Sequence, residues 1–207
     1  MPYKPKRNYS TKKIIVKPKV NWSLKNYQTI TSVSPPVKEA NKSWPSNKLA
    51  CSYSVEQLVG AQVDGSGVTP IGMNLKVKHL KCEITRSFFY ENIDMYKALI
   101  KMKAYIVYLP EGVVFSKTVN TETGMSQTLS QHPEWILGEK LLNINYKSDS
   151  QYISSTTVKM KLNKNLRSGD NICVVLATTF DTEQLGDKDW SAYKIPVNLE
   201  WSYASAL

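Results

Sequence analysis

Residues 154–165 read SSTTVKMKLNKN. Thr156, Val158, Met160 and Leu162 fall on one parity, and Thr157, Lys159, Lys161 and Asn163 fall on the other. A period of two over eight residues is the signature of a strand with one buried and one wet face. An LRSGD turn follows, and then NICVVLATTF (171–180), which is apolar on both parities. That run predicts a central strand covered on both sides. Upstream, MNLKVKHLKCEITRSFF (73–89) places Met73, Leu75 and Val77 on one face, then moves the apolar set to Leu80, Cys82 and Ile84. A slip of one residue turns every later side chain over unless a bulge absorbs it, so a β-bulge is expected near Lys78 and His79.

Working outward, LACSYSVEQLV (49–59), ALIKMKAYIVYLPEG (98–112) and WILGEKLLNIN (135–145) also read as strands. In YKIPVNLEWSY (193–203), Tyr193, Ile195, Val197, Leu199, Trp201 and Tyr203 share one side, and Pro196 marks an edge or an irregularity. These make seven strands with room for an eighth. Residues 60–72, 113–131 and 181–191 read as long loops. Short helices are expected only at VEQLVGA (55–61) or YENIDMYKAL (90–99). The fold class is all-β: a single eight-stranded antiparallel jelly roll of two packed four-stranded sheets, with a disordered or extended basic N-terminal arm. The expected division is an arm and linker over 1–48 and a body over 49–207. Trp22, Tyr27 and Trp44 are candidates to anchor the later arm, and Trp135 and Trp201 are expected in the core. Trp190 fits core and interface equally.

Charge is distributed unevenly. The 207 residues carry 27 Lys and Arg against 17 Asp and Glu, a net charge of +10. Nine of those cations lie in residues 1–38, where there is no carboxylate, so the rest of the chain is close to neutral. Six prolines and much Ser, Thr, Asn and Lys in 1–48 leave too little apolar surface for a core. A cationic leader on a neutral body suits a polyanion. The candidate nucleic-acid-binding residues are Lys4, Lys6, Arg7, Lys12, Lys13, Lys17, Lys19 and Lys25. Eight such contacts on a single strand imply a slope of log affinity against log salt of roughly −5 to −6. Tyr3, Tyr9 and Trp22 offer rings on which unpaired bases stack. Lysine outnumbers arginine here, which suits neutralisation of phosphate over reading of bases. The same KPKR and KK tracts suit an importin. Lys159 and Lys161 are expected to matter less unless their face lines an enclosed lumen.

No catalytic constellation is legible. The two histidines, His79 and His132, have no nucleophile beside them in a recognisable pattern. His79 and Cys82 are three apart on a strand and so face opposite ways, which argues against a metal pair. Asp181, Glu183, Asp187 and Asp189 make an acidic loop, read as solvated or as the partner of a basic patch, with calcium as the lesser reading. The expectation is no enzyme, no cofactor and no metal. Cys51, Cys82 and Cys173 are odd in number and widely spaced, as reduced thiols are. No segment reads as a signal peptide or a membrane span.

YIVYLPEGV (105–113), HPEWILGEKLL (132–142) and NLRSGDNICVVL (165–176), in that order, with IGMNLKVKHLKCEI (71–84), resemble capsid proteins of circular single-stranded DNA viruses that encode a Rep protein, the circovirus-like group. The resemblance implies an icosahedral shell of 60 copies of one jelly roll, with the arm turned inward onto the genome. Its partners would be further copies of the chain, single-stranded DNA and an importin, and its places the virion and the host nucleus. The arm of this chain is shorter and richer in lysine than the long arginine-dense arms of well-known circoviruses. Two other readings fit the composition: a monomeric nucleic-acid-binding β-barrel, and a carbohydrate-binding jelly-roll module.

Overall fold

The computed structural model describes residues 20–36, 48–60, 75–88, 93–113, 118–119, 129–143, 152–186, 190 and 192–206. Nine strands are present among them: β1 (Ser23–Val33), β2 (Leu49–Gly60), β3 (Leu75–Phe88), β4 (Leu99–Leu109), β5 (Thr118–Val119), β6 (Ile136–Leu142), β7 (Tyr152–Leu166), β8 (Asn171–Asp181) and β9 (Ile195–Ala206). Two short helices, α1 (Ile93–Ala98) and α2 (Thr182–Leu185), lie between them. The pairing is nested: β4 with β6, β3 with β7, β2 with β8 and β1 with β9, all antiparallel. One long hairpin has thus been rolled up. Lateral pairing of β3 with β9 and of β4 with β8 closes it into sheets ordered β1-β9-β3-β7 and β5-β2-β8-β4-β6. This is the expected jelly roll of two four-stranded sheets, with the two-residue β5 added at the rim of the second.

The alternation read from the sequence is the alternation of burial. Ile195, Val197 and Leu199 are fully buried between the sheets, with Leu80, Cys82, Ile84, Leu166, Val174 and Leu176 around them. The register of β3 shifts between Val77 and His79 against both neighbours, so the bulge lies where the apolar phase slips. β8 is central, and its second face is covered too. Cys173 and Val175 pack with Val55, Val107, Leu109 and Leu129 on the outer side of the second sheet, beneath Trp135 and Ile136. Pro196 pairs with Ser32 of β1 alone, because the ladder with β3 ends at Val197, so its missing N–H lies where β9 has one neighbour.

Three expectations are corrected. The stretch 1–48 is not arm and linker throughout: Ser23–Val33 is the eighth jelly-roll strand and pairs with β9 along its full length. Its inward side holds Thr29 and Thr31, with Val33 as its one aliphatic residue at the end of the strand. Buried Thr31 is satisfied by the Ser54 hydroxyl at 3.2 Å and Glu56 Oε1 at 2.8 Å, so polar contacts hold a strand that apolar periodicity does not announce. Residues 55–60 are the end of β2 and not a helix, whereas Ile93–Ala98 within the other helical candidate is α1. The stretch read as one loop from 113 to 131 contains β5 and a helical turn at 129–131. Most of the loop 60–72, and Trp44, lie outside the described residues.

The LRSGD turn is tied by its aspartate. Asp170 is buried, and its carboxylate accepts the N–H of Arg167 at 2.8 Å, the hydroxyl of Tyr108 at 3.0 Å and the N–H of Glu111 at 3.2 Å. Burial, then the hydrogen bond to Asp170, raises the Tyr108 phenol above its ordinary range. Gly169 has φ +87°, and a Cβ there would meet the Glu111 side chain at 2.5 Å. The turn therefore needs glycine for its backbone angle and for the close approach.

Candidate nucleic-acid interface

Lys4, Lys6, Arg7, Lys12, Lys13, Lys17 and Lys19 lie outside the described residues, as do Tyr3 and Tyr9. Lys25, the last of the predicted contacts, is exposed on β1 opposite Tyr203. The arm joins the body at residues 20–22, at the corner where β1 and β3 begin and β9 ends. Two lysines from β3 stand over the Trp22 ring, Lys78 at 5.3 Å and Lys76 at 5.9 Å from its centroid. That contact ties the base of the arm to the first sheet. Tyr27 stacks on Trp201 at 5.6 Å and on Tyr203 at 5.8 Å, and burial raises the Tyr203 phenol. Trp22 and Tyr27 are thus the anchors that the sequence reading named. Lys76 and Lys78, beside the arm's exit, were not among its candidates. The signal for them is LKVKHLK itself, in which every second residue before the bulge is a lysine.

Elsewhere the described residues hold little that resembles chemistry. His79 is exposed and Cys82 is fully buried, on opposite sides of β3. No group of three or more His, Cys, Asp or Glu converges among the described residues. Asp181 caps α2, accepting the N–H of Glu183 at 2.8 Å, and Glu183 meets Lys48 at 2.6 Å on the surface. Asp187 and Asp189 lie outside the described residues. His132 begins the 3-10 turn Pro133–Trp135, stacks on Trp135 at 3.9 Å and bonds Glu134 at 3.0 Å. The Glu134 carboxyl is lowered by its own backbone N–H first and His132 second. Trp190 resolves to the core: it is buried and donates its indole N–H to Leu185 at 2.9 Å. Trp201 is core as well and donates to Leu58 at 2.7 Å, while Trp135 is half-buried against the outer apolar cluster. A cleft of about 340 Å³ on the outer side of the second sheet is lined in part by Cys51, Tyr53, Lys103, Tyr105 and Glu139. Lys103 is committed there to Glu139 at 2.7 Å, a bond that raises its ammonium pKa. No described helix is long and apolar enough to cross a membrane.

No family model matches the chain, and no curated protein does. Among solved structures, a chain described as Desmodium yellow mottle tymovirus aligns at 13% identity with a TM-score of 0.31, over 95% of this chain and 97% of that one. At that score the two share too little geometry for the likeness to bear on function.

The thiols have a consequence for alkaline stability. Cys82 and Cys173 are each pushed up to about 12 by burial, with the Glu56 charge adding to the effect at Cys173. The folded state holds these protons more tightly than the unfolded chain. Their contribution is therefore complete below the unfolded thiol pKa near 9 and is lost as pH rises toward 12. Each thiol should steepen the fall in unfolding free energy by about 1.4 kcal/mol per pH unit in that window. Urea titrations of the Cys82→Ala variant between those limits should show a slope shallower by that amount; an unchanged slope would remove the thiol from the account.

Proposed function

We propose that this chain is a coat protein of a circular Rep-encoding single-stranded DNA virus. Sixty copies form a small icosahedral shell, and the segment containing Lys4, Lys6, Arg7, Lys12, Lys13, Lys17, Lys19 and Lys25 neutralises the packaged genome. The observation that carries the reading is the separation of roles in the chain. Seven of the ten net positive charges precede β1, and the jelly roll that follows carries exposed aliphatic side chains on its edge strands. Among the described residues, the most exposed large aliphatic side chains are Ile30 (75%), Leu24 (66%), Leu141 (60%) and Ile153 (60%). All four lie on β1, β6 and β7, which are edge strands of the two sheets. Exposed aliphatic edges promote association, which a monomer has reason to avoid and a shell subunit uses. The protein is not an enzyme on this reading. It resides in the virion and passes through the host nucleus, with the lysine tracts also serving an importin.

Sedimentation and electron microscopy of protein expressed in a heterologous cell test the proposal. Megadalton particles containing nuclease-protected nucleic acid are the expected result. A species of about 23 kDa at every salt and protein concentration would overturn the shell and favour a monomeric nucleic-acid-binding protein. A glycan ligand retained after removal of residues 2–20, which leaves β1 intact, would favour the carbohydrate-binding module.

A further inference from the structure

The outward face of the first sheet carries a charge arrangement that folding alone disfavours. Lys81 of β3 stands directly across from Lys159 of β7, and His79 stands across from Lys161. The like charges of Lys81 and Lys159, opposed on neighbouring strands, repel and destabilise the pair. Their relief is slight. Lys81 reaches Glu83 Oε2 only at 3.6 Å, and Glu83 also accepts the Ser155 hydroxyl at 2.9 Å. Among the described residues no ion pair to Lys159 or Lys161 is found. Lys81, Lys159 and Lys161 line a shallow groove of about 440 Å³, floored by small or apolar residues of β1 and β9 including Leu24, Ser202 and Ala204. The groove sits at the same end of the sheet as Trp22, Lys76 and Lys78, where the basic arm joins the body.

We infer that this groove is a second phosphate-binding surface. A single strand of nucleic acid engaged by the arm continues across Lys161, Lys159 and Lys81, and its phosphates remove the cross-strand repulsion. The charge of the groove, its extension along the sheet and its position beside the arm's exit together fit an extended polyanion. A compact anion would need converging donors. The register sets Lys81 across from Lys159, with Lys161 two residues along β7 and Lys76 and Lys78 further along β3 beside Trp22, so the cations are spread along the sheet and not gathered around one point. The inference rests on the reading that the arm binds single-stranded nucleic acid, and it assigns part of that binding to the folded body.

The test is the salt dependence of binding to an oligothymidylate of about 30 nucleotides, a length that spans arm and groove. The full-length chain is compared with the triple variant Lys81→Gln, Lys159→Gln, Lys161→Gln, and with Lys97→Gln, Lys101→Gln, Lys140→Gln, which alters exposed lysines elsewhere. Circular dichroism verifies that each is folded. Loss of three phosphate contacts should make the slope of log affinity against log salt less negative by about 2 in the first variant. The second should keep the parent slope. Without nucleic acid, Lys159→Gln should raise the melting temperature by about 1–3 °C as the opposed charge is removed. If the parent binds and the first triple variant keeps its slope, or if both triples lower it equally, the groove is not a site while the arm reading stands. If the parent itself does not bind the oligonucleotide, the arm reading fails and the groove fails with it.

Discussion

Particles assembled from a chain lacking residues 2–20 should contain a small fraction of the nucleic acid found in full-length particles. The deletion removes seven cations, Lys4 to Lys19, and no carboxylate. At about 0.7 counterions released per single-strand contact, the slope of log affinity against log salt should become less negative by about 5. Between about 50 and 200 mM salt, that difference alone corresponds to roughly a thousandfold change in relative affinity. The body should remain folded. The anchoring contacts of Trp22 with Lys76 and Lys78, and all of β1, lie beyond the deletion. Absorbance ratios of purified particles, with unfolding curves of the truncated protein, separate the two effects. Truncated particles with the parental content of nucleic acid would remove the arm from packaging. Residual binding with a slope of about −3 would match Lys25 and the three lysines of the sheet groove.

Replacing Asp170 by alanine should destabilise the folded body by about 3–5 kcal/mol, the largest effect expected of a single side chain here. The buried carboxylate takes three hydrogen bonds, from the Arg167 and Glu111 amides and from the Tyr108 hydroxyl. Alanine leaves all three donors facing a cavity. The bonds join the end of β4 to the turn between β7 and β8, so their loss loosens the junction between the two sheets rather than one loop. The Asp170→Asn variant retains one acceptor oxygen and should cost about half as much. Chemical denaturation of the two variants gives the comparison. A change below about 1 kcal/mol for Asp170→Ala would mean that water satisfies these donors.

Much of this architecture is legible in the chain. Alternation in 154–165, the two-sided apolar run of β8 and the glycine and aspartate of LRSGD each report a local requirement: one wet face, two dry faces, and a turn with positive φ. The slip near His79 is local as well, because the bulge is the cost in register of keeping Val77 and Leu80 on one side. The charge of the arm is a property of composition and needs no fold to be seen.

Other features depend on partners distant in sequence. β1 has no apolar inner stripe. It becomes a strand because Thr31 finds Ser54 and Glu56, and because β9, at the far end of the chain, offers a full ladder. The basic groove is likewise invisible from either of its strands. Lys81 on β3 and Lys159 on β7 are ordinary solvent-facing residues until nested pairing sets them side by side. Sequence alone therefore determined which residues face water and where the positive charge accumulates, since both follow from the period and polarity of short segments. Only the tertiary structure decided which wet faces and which cations meet, because register between strands about eighty residues apart is set by closure of the whole sheet.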